Sequence, residues 1–133
     1  MQIKRLISIL LSLAVMIGTA SIVTAIEPRY SDTHSLIIQL SISDTTAYCT
    51  VNLTGAYGTK NITDGHLTLT DSHGTPVGYW SKLESNNSKL VVMESVSGLT
   101  KGETYTLSFY AYVNRNGNAE YVSDSKTKTC PIK

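Results

Sequence analysis

Val96 to Val122 reads VSGLTKGETYTLSFYAYVNRNGNAEYV. From Tyr105 onward the residue types alternate: Tyr105, Leu107, Phe109, Ala111 and Val113 fall on one side, and Thr106, Ser108, Tyr110 and Tyr112 on the other. Successive side chains of a strand point to opposite faces, so a period of two marks an extended strand with one buried face. Arg115-Asn116-Gly117-Asn118 follows. Asn-Gly is the dipeptide that most readily takes the two positive φ values of a type I′ turn, so the strand doubles back as a hairpin.

The same alternation recurs upstream. Leu36, Ile38, Leu40 and Ile42 alternate with Ile37, Gln39 and Ser41 until Asp44-Thr45-Thr46 breaks the run. Ala47, Cys49, Val51 and Leu53 then form the buried side of a second strand, and Gly55 to Lys60 reads as a loop. A third strand spans Ile62 to Thr70, with Leu67 and Leu69 inward and His66, Thr68 and Thr70 outward. After the turn cluster Asp71-Ser72-His73-Gly74-Thr75-Pro76, a fourth strand, Val77 to Leu83, carries Tyr79 and Trp80 on opposite faces. One of those two rings is therefore partly exposed. Glu84 to Ser88 turns the chain, Leu90 to Val96 is a fifth strand, and the opening stretch supplies the sixth and a seventh that ends at Cys130. Seven short strands, polar turns between them and no helical periodicity predict an all-β fold, a seven-stranded antiparallel sandwich over 36–133.

The first 25 residues differ in composition. Lys4-Arg5 is a short positive region, Leu6 to Ile17 is almost wholly apolar, and Val23-Thr24-Ala25 ends in the small residue of a cleavage site. This is the pattern of a secretory signal peptide, a helix cut after Ala25, which predicts a secreted, extracellular protein. Leu6 to Ile26 is also 21 residues without a charge, so a retained membrane anchor is the alternative. Residues 26–35, with Pro28, read as an extended lead-in. Without Lys4 and Arg5 the chain has nine Lys and Arg against ten Asp and Glu, which leaves no basic field for nucleic acid or anionic lipid. Cys49 and Cys130 are the only cysteines. In an oxidising compartment such a pair normally closes, so a disulfide between them is expected, worth at most about 4.5 kcal/mol for a loop of this length.

Leu99-Thr100-Lys101-Gly102-Glu103-Thr104-Tyr105 resembles the tyrosine corner of fibronectin type III and related immunoglobulin-like domains, in which a Leu and a Gly precede a Tyr at the start of strand F. The resemblance assigns Leu99, Gly102 and Tyr105 a structural role: the Tyr hydroxyl bonds to backbone near Leu99 and pins the crossing between sheets. It also implies that the third, fourth, sixth and seventh strands share one sheet. Two features depart from the family, the lack of Trp in the second strand and the position of the expected disulfide. The chain as a whole is similar to small secreted single-domain proteins of Gram-positive bacteria, a likeness that implies no activity.

Catalytic groups are scattered. His34 precedes the first strand, His66 lies on an outward face and His73 sits in a turn. Asp71-Ser72-His73 has the residue types of a hydrolase triad, but neighbours in one tight turn cannot take its geometry. Asp64, His66, Asp71 and His73 match no metal-binding spacing and read as solvated residues at hairpin ends. No metal or cofactor is expected. In a fibronectin-like strand order Tyr110 and Tyr112 face outward beside His66, Thr68 and Trp80, and a face rich in Tyr and Trp suits recognition of a protein or glycan. The reading is therefore a non-catalytic module binding an extracellular protein or glycan, with a secreted inhibitor or toxin-like antagonist as the alternative and a small hydrolase as the last.

Overall fold

The computed structural model describes residues 30–133. The signal segment expected at 1–25 and residues 26–29 of the lead-in lie outside the described residues. Seven strands follow in order: β1 (Thr33–Ser43), β2 (Thr46–Gly55), β3 (Thr59–Thr70), β4 (Pro76–Ser85), β5 (Lys89–Val96), β6 (Thr104–Arg115) and β7 (Asn118–Thr129). All pairings are antiparallel. They form two sheets, β1-β2-β5 and β4-β3-β6-β7. No helix among the described residues is long and apolar enough to cross a membrane.

The alternation sets the core. Ile38, Leu40, Cys49, Val51 and Leu53 of one sheet meet Ile62, Leu67, Leu69, Leu107, Phe109 and Val113 of the other, all buried. Burying a side chain of this size stabilises by about 1.5 to 3 kcal/mol. Asn116 and Gly117 take φ of 53° and 76°, and Arg115 pairs with Asn118, so the β6–β7 connection is the two-residue turn the dipeptide demands. Tyr105 is buried and its hydroxyl accepts the Thr100 N–H at 2.9 Å, while Leu99 N–H donates to the Thr45 carbonyl at 2.9 Å. The loop before β6 is thus fastened to the β1–β2 turn of the opposite sheet.

Three features differ from the sequence reading. First, β1 starts at Thr33, inside the expected lead-in, and only Ala56, Tyr57 and Gly58 separate β2 from β3. The cause is a polar clasp. Glu120 accepts from the Ser31 and Asp32 N–H groups at 2.7 and 2.9 Å and from the Thr33 hydroxyl at 2.9 Å. Asp32 in turn accepts from Arg115 and Asn118, each at 2.8 Å. These bonds hold the entering chain against β7.

Second, the expected disulfide is absent: Cys49 and Cys130 are separate buried thiols. Cys49 sits mid-β2, paired with Leu40 and Glu94, whereas Cys130 follows β7 and its thiol donates to the Asp44 carbonyl, 3.2 Å away. The chain end is tied instead by backbone, Cys130 N–H to Glu103 O at 2.8 Å and Gly102 N–H to Cys130 O at 2.9 Å. Third, β3 and β4 are not regular. Asp64 and Lys82 have φ of 54° and 57°, at register shifts in the β3 pairings and in mid-β4. These bulges reset which side chains face outward.

Candidate functional site

The outward face of the four-stranded sheet carries a row of rings, with Tyr79 from β4, His66 from β3, Tyr110 from β6 and Tyr121 from β7. Register places them: His66 is opposite Tyr110, Thr68 is opposite Tyr79, and Tyr112 is opposite Tyr121. Ring centroids are 5.9 Å apart for Tyr79 and His66, 4.7 Å for His66 and Tyr110, and 5.7 Å for Tyr110 and Tyr121. Tyr112 meets Tyr121 edge-on at 5.4 Å. The spacing follows the separation of neighbouring strands, about 4.8 Å.

His66 and Tyr110 are nearly parallel, with 16° between their planes. These two rings cover each other's faces, whereas Tyr79–His66 and Tyr110–Tyr121 are tilted by 43° and 33°. The row holds three phenols and an imidazole, and Tyr112 beside it adds a fourth phenol. His66 Nδ1 donates to the Asp64 carbonyl at 3.1 Å. Tyr110 sits between neighbours, and its hydroxyl is held above the usual tyrosine range, first by burial and then by Tyr79, Tyr121 and Tyr112. Tyr79 and Tyr121 are more open, 58% and 50% exposed. A hollow of about 330 Å³ adjoins the row, lined by Ser108, Tyr110, Tyr121, Ser123 and Ser125.

Of the residues singled out from sequence, Tyr110, Tyr112, His66 and Thr68 lie on this face, and Trp80 does not. Trp80 is opposite the inward Leu67 and packs against the core. An added Cβ at Gly78 would fall 2.7 Å from both Trp80 Cη2 and Val96 Cγ2, so the indole lies over the glycine and reaches the other sheet. Tyr79 stands on the outer face in its place. Tyr121 was missed although a signal existed: a two-residue turn at Asn116-Gly117 makes Tyr112 and Tyr121 partners by counting.

The three histidines stay on separate elements, His34 on β1, His66 on β3 and His73 in the β3–β4 turn. Asp71 and His73 meet Glu103, their ligating atoms within 4.8 Å of one another. Asp64 and His66 lie in the middle of β3 and do not join this cluster. Each carboxylate in the cluster is engaged locally. Asp71 accepts the His73 and Thr75 N–H groups at 2.9 Å each, and Glu103 accepts the Ser72 N–H at 3.0 Å and its hydroxyl. Thr75 and Ser72 respectively hold the two carboxyls below the usual range. The cluster fastens the β3–β4 turn to the start of β6.

No protein-family model matches the sequence, and no curated protein does. Among solved structures, beta-glucuronidase 3 of Bacteroides uniformis aligns with a TM-score of 0.45 and 13% identity, over 70% of this chain and 12% of that one. BhCBM56, a carbohydrate-binding module, aligns with a TM-score of 0.39 and 15% identity, over 74% of this chain and 99% of that one. The twitchin kinase region of C. elegans aligns at 0.35 and 15% identity, over 79% of this chain and 17% of that one. The chain thus spans about an eighth of the glucuronidase it matches. These likenesses are of fold alone.

Proposed function

We propose that this chain is an exported, non-catalytic β-sandwich module of the fibronectin type III kind that binds an extracellular protein or glycan through the aromatic row. The row carries the reading: four strands each place one ring on the same outward side, with successive centroids 5.9, 4.7 and 5.7 Å apart. Tyrosine offers large amphipathic area with few rotatable bonds, so holding it in a bound geometry costs little entropy. Stacking on neighbours orders the rings before any ligand arrives, which lowers the cost of binding further. Because Tyr79 and Tyr121 are more than a third exposed and carry hydroxyls, the surface suits a ligand rich in hydroxyl or amide groups. Export rests on Lys4-Arg5, the apolar run from Leu6 and the cleavage pattern at Ala25.

The test is a glycan array and a panel of extracellular proteins screened with the wild type and with Tyr79→Ala combined with Tyr121→Ala. These rings have the greatest exposure in the row. Binding is expected to weaken at least about tenfold, with the melting temperature lowered by only a few degrees. Binding unchanged in the double variant refutes the assignment.

A further inference from the structure

Among the described residues the two sheets each leave an unpaired edge strand on the same side of the sandwich, β1 and β7, and the edges differ in chemistry. β7 closes the four-stranded sheet. Its Asp124, Lys126 and Lys128 are opposite the buried Phe109, Leu107 and Tyr105 of β6, yet all three are exposed. Inward-pointing charges on an edge strand discourage another strand from pairing there. β1 closes the three-stranded sheet and has no such guard. From Ser35 to Ser43 it reads SLIIQLSIS, without a charge or a proline. In an antiparallel pair every second residue turns its N–H and C=O away from its partner, here away from β2.

Between the two edges runs a groove of about 690 Å³. One side is Ile37 to Ser41 of β1 with Tyr48 and Thr50 of β2, the other is Lys126 to Lys128, and no acidic side chain lines it. Neither lysine joins an ion pair among the described residues.

We propose that the free edge of β1 is a docking site for an extended acidic segment of a partner polypeptide, which adds to the three-stranded sheet and sets two carboxylates against Lys126 and Lys128. Backbone pairing with the edge supplies affinity, and the side chains that alternate toward the groove supply specificity. Ile37 to Ser41 offers about 14 Å of strand, room for five residues. Lys126 and Lys128 are two residues apart, about 7 Å along a strand, which is the spacing of carboxylates at alternate positions of an extended segment. A second copy of this chain would offer its own β1, which has no carboxylate for the lysines. The site lies along the edges of both sheets, with its lysines opposite inward residues of β6, whereas the aromatic row is on the outward face of the four-stranded sheet.

The experiment is a two-dimensional amide NMR titration of the intact protein with three synthetic peptides. These are acetyl-TVDVEVT-amide, its Asn/Gln counterpart acetyl-TVNVQVT-amide and its lysine counterpart acetyl-TVKVKVT-amide. The acidic peptide is expected to shift and protect from exchange the amides of Ile37 to Ser41, and to shift those of Lys126 to Lys128. Lys126→Glu with Lys128→Glu, both exposed and outside the core, should weaken it about tenfold. N-methylation of alternate peptide amides, which removes backbone donors and leaves the protein untouched, should abolish it. No shift with any peptide, equal binding of the lysine peptide, or shifts confined to the aromatic face overturns the proposal. Concentration-dependent dimerisation that protects the β1 amides also overturns it and gives the edge to a second copy.

Discussion

Tyr105→Phe removes one oxygen and leaves the buried ring in place. Tyr105 is 3% exposed, and its hydroxyl is the acceptor of the Thr100 N–H at 2.9 Å. Without it that N–H loses its partner in a part-buried bond, and stranding a fully buried donor would cost about 1 to 3 kcal/mol. The loop cannot easily swing out to water, because Leu99 beside it is buried and bonded to Thr45 across the sandwich. Thr100 itself is exposed, however, so water can partly replace the lost acceptor, and the loss should fall at the low end of that range, about 1 kcal/mol, lowering the melting temperature by about 4 to 8 °C for a domain of this size. Urea unfolding followed by the fluorescence of Trp80 and by circular dichroism measures it, with an unchanged m-value showing that stability alone has moved. A loss under about 0.5 kcal/mol would refute the claim that this bond joins the loop to the strand.

Gly78→Ala places a methyl group against Trp80 and Val96, so it should destabilise by about 1 to 3 kcal/mol and shift the emission of the single Trp to the red; unchanged emission would contradict the placement of the indole over Gly78. Both cysteines should be unreactive to thiol reagents in the native protein at pH 8 and titrate as two free thiols in denaturant, since burial pushes the Cys49 thiol up to about 11. A melting temperature that falls on adding reductant would show a disulfide instead. Asn118, with Arg115, holds Asp32 below its ordinary value, as Thr75 does for Asp71 and Ser72 for Glu103. Carboxyls with depressed folded values favour the fold while ionised, so their contribution is complete well above the ordinary 3.8 and 4.5 and is lost as pH falls through the folded values. Stability should hold from pH 7 to 6 and decline with acidification below about pH 4, less so in Asn118→Ala; a rise on acidification would refute the assignment.

Much of the architecture is local information. A period of two in Tyr105 to Val113, the Asn116-Gly117 turn and the Leu99-to-Tyr105 segment each state their conformation within a few residues, because side-chain direction and turn φ values depend on immediate neighbours. Tyr110 and Tyr112 could be placed on the outer face for that reason. What depended on the assembled chain involves a phase or a distance between remote segments. The bulges at Asp64 and Lys82 give no such periodic signal, and counting through β3 and β4 could not decide which of Tyr79 and Trp80 faces the core. The meeting of Glu120 with Ser31 to Thr33 and of Glu103 with Asp71 and His73, and the separation of Cys49 from Cys130, have the same character. Alternation names the face of a strand, but which groups meet across 30 to 90 residues of chain is settled only when the two sheets close on one core.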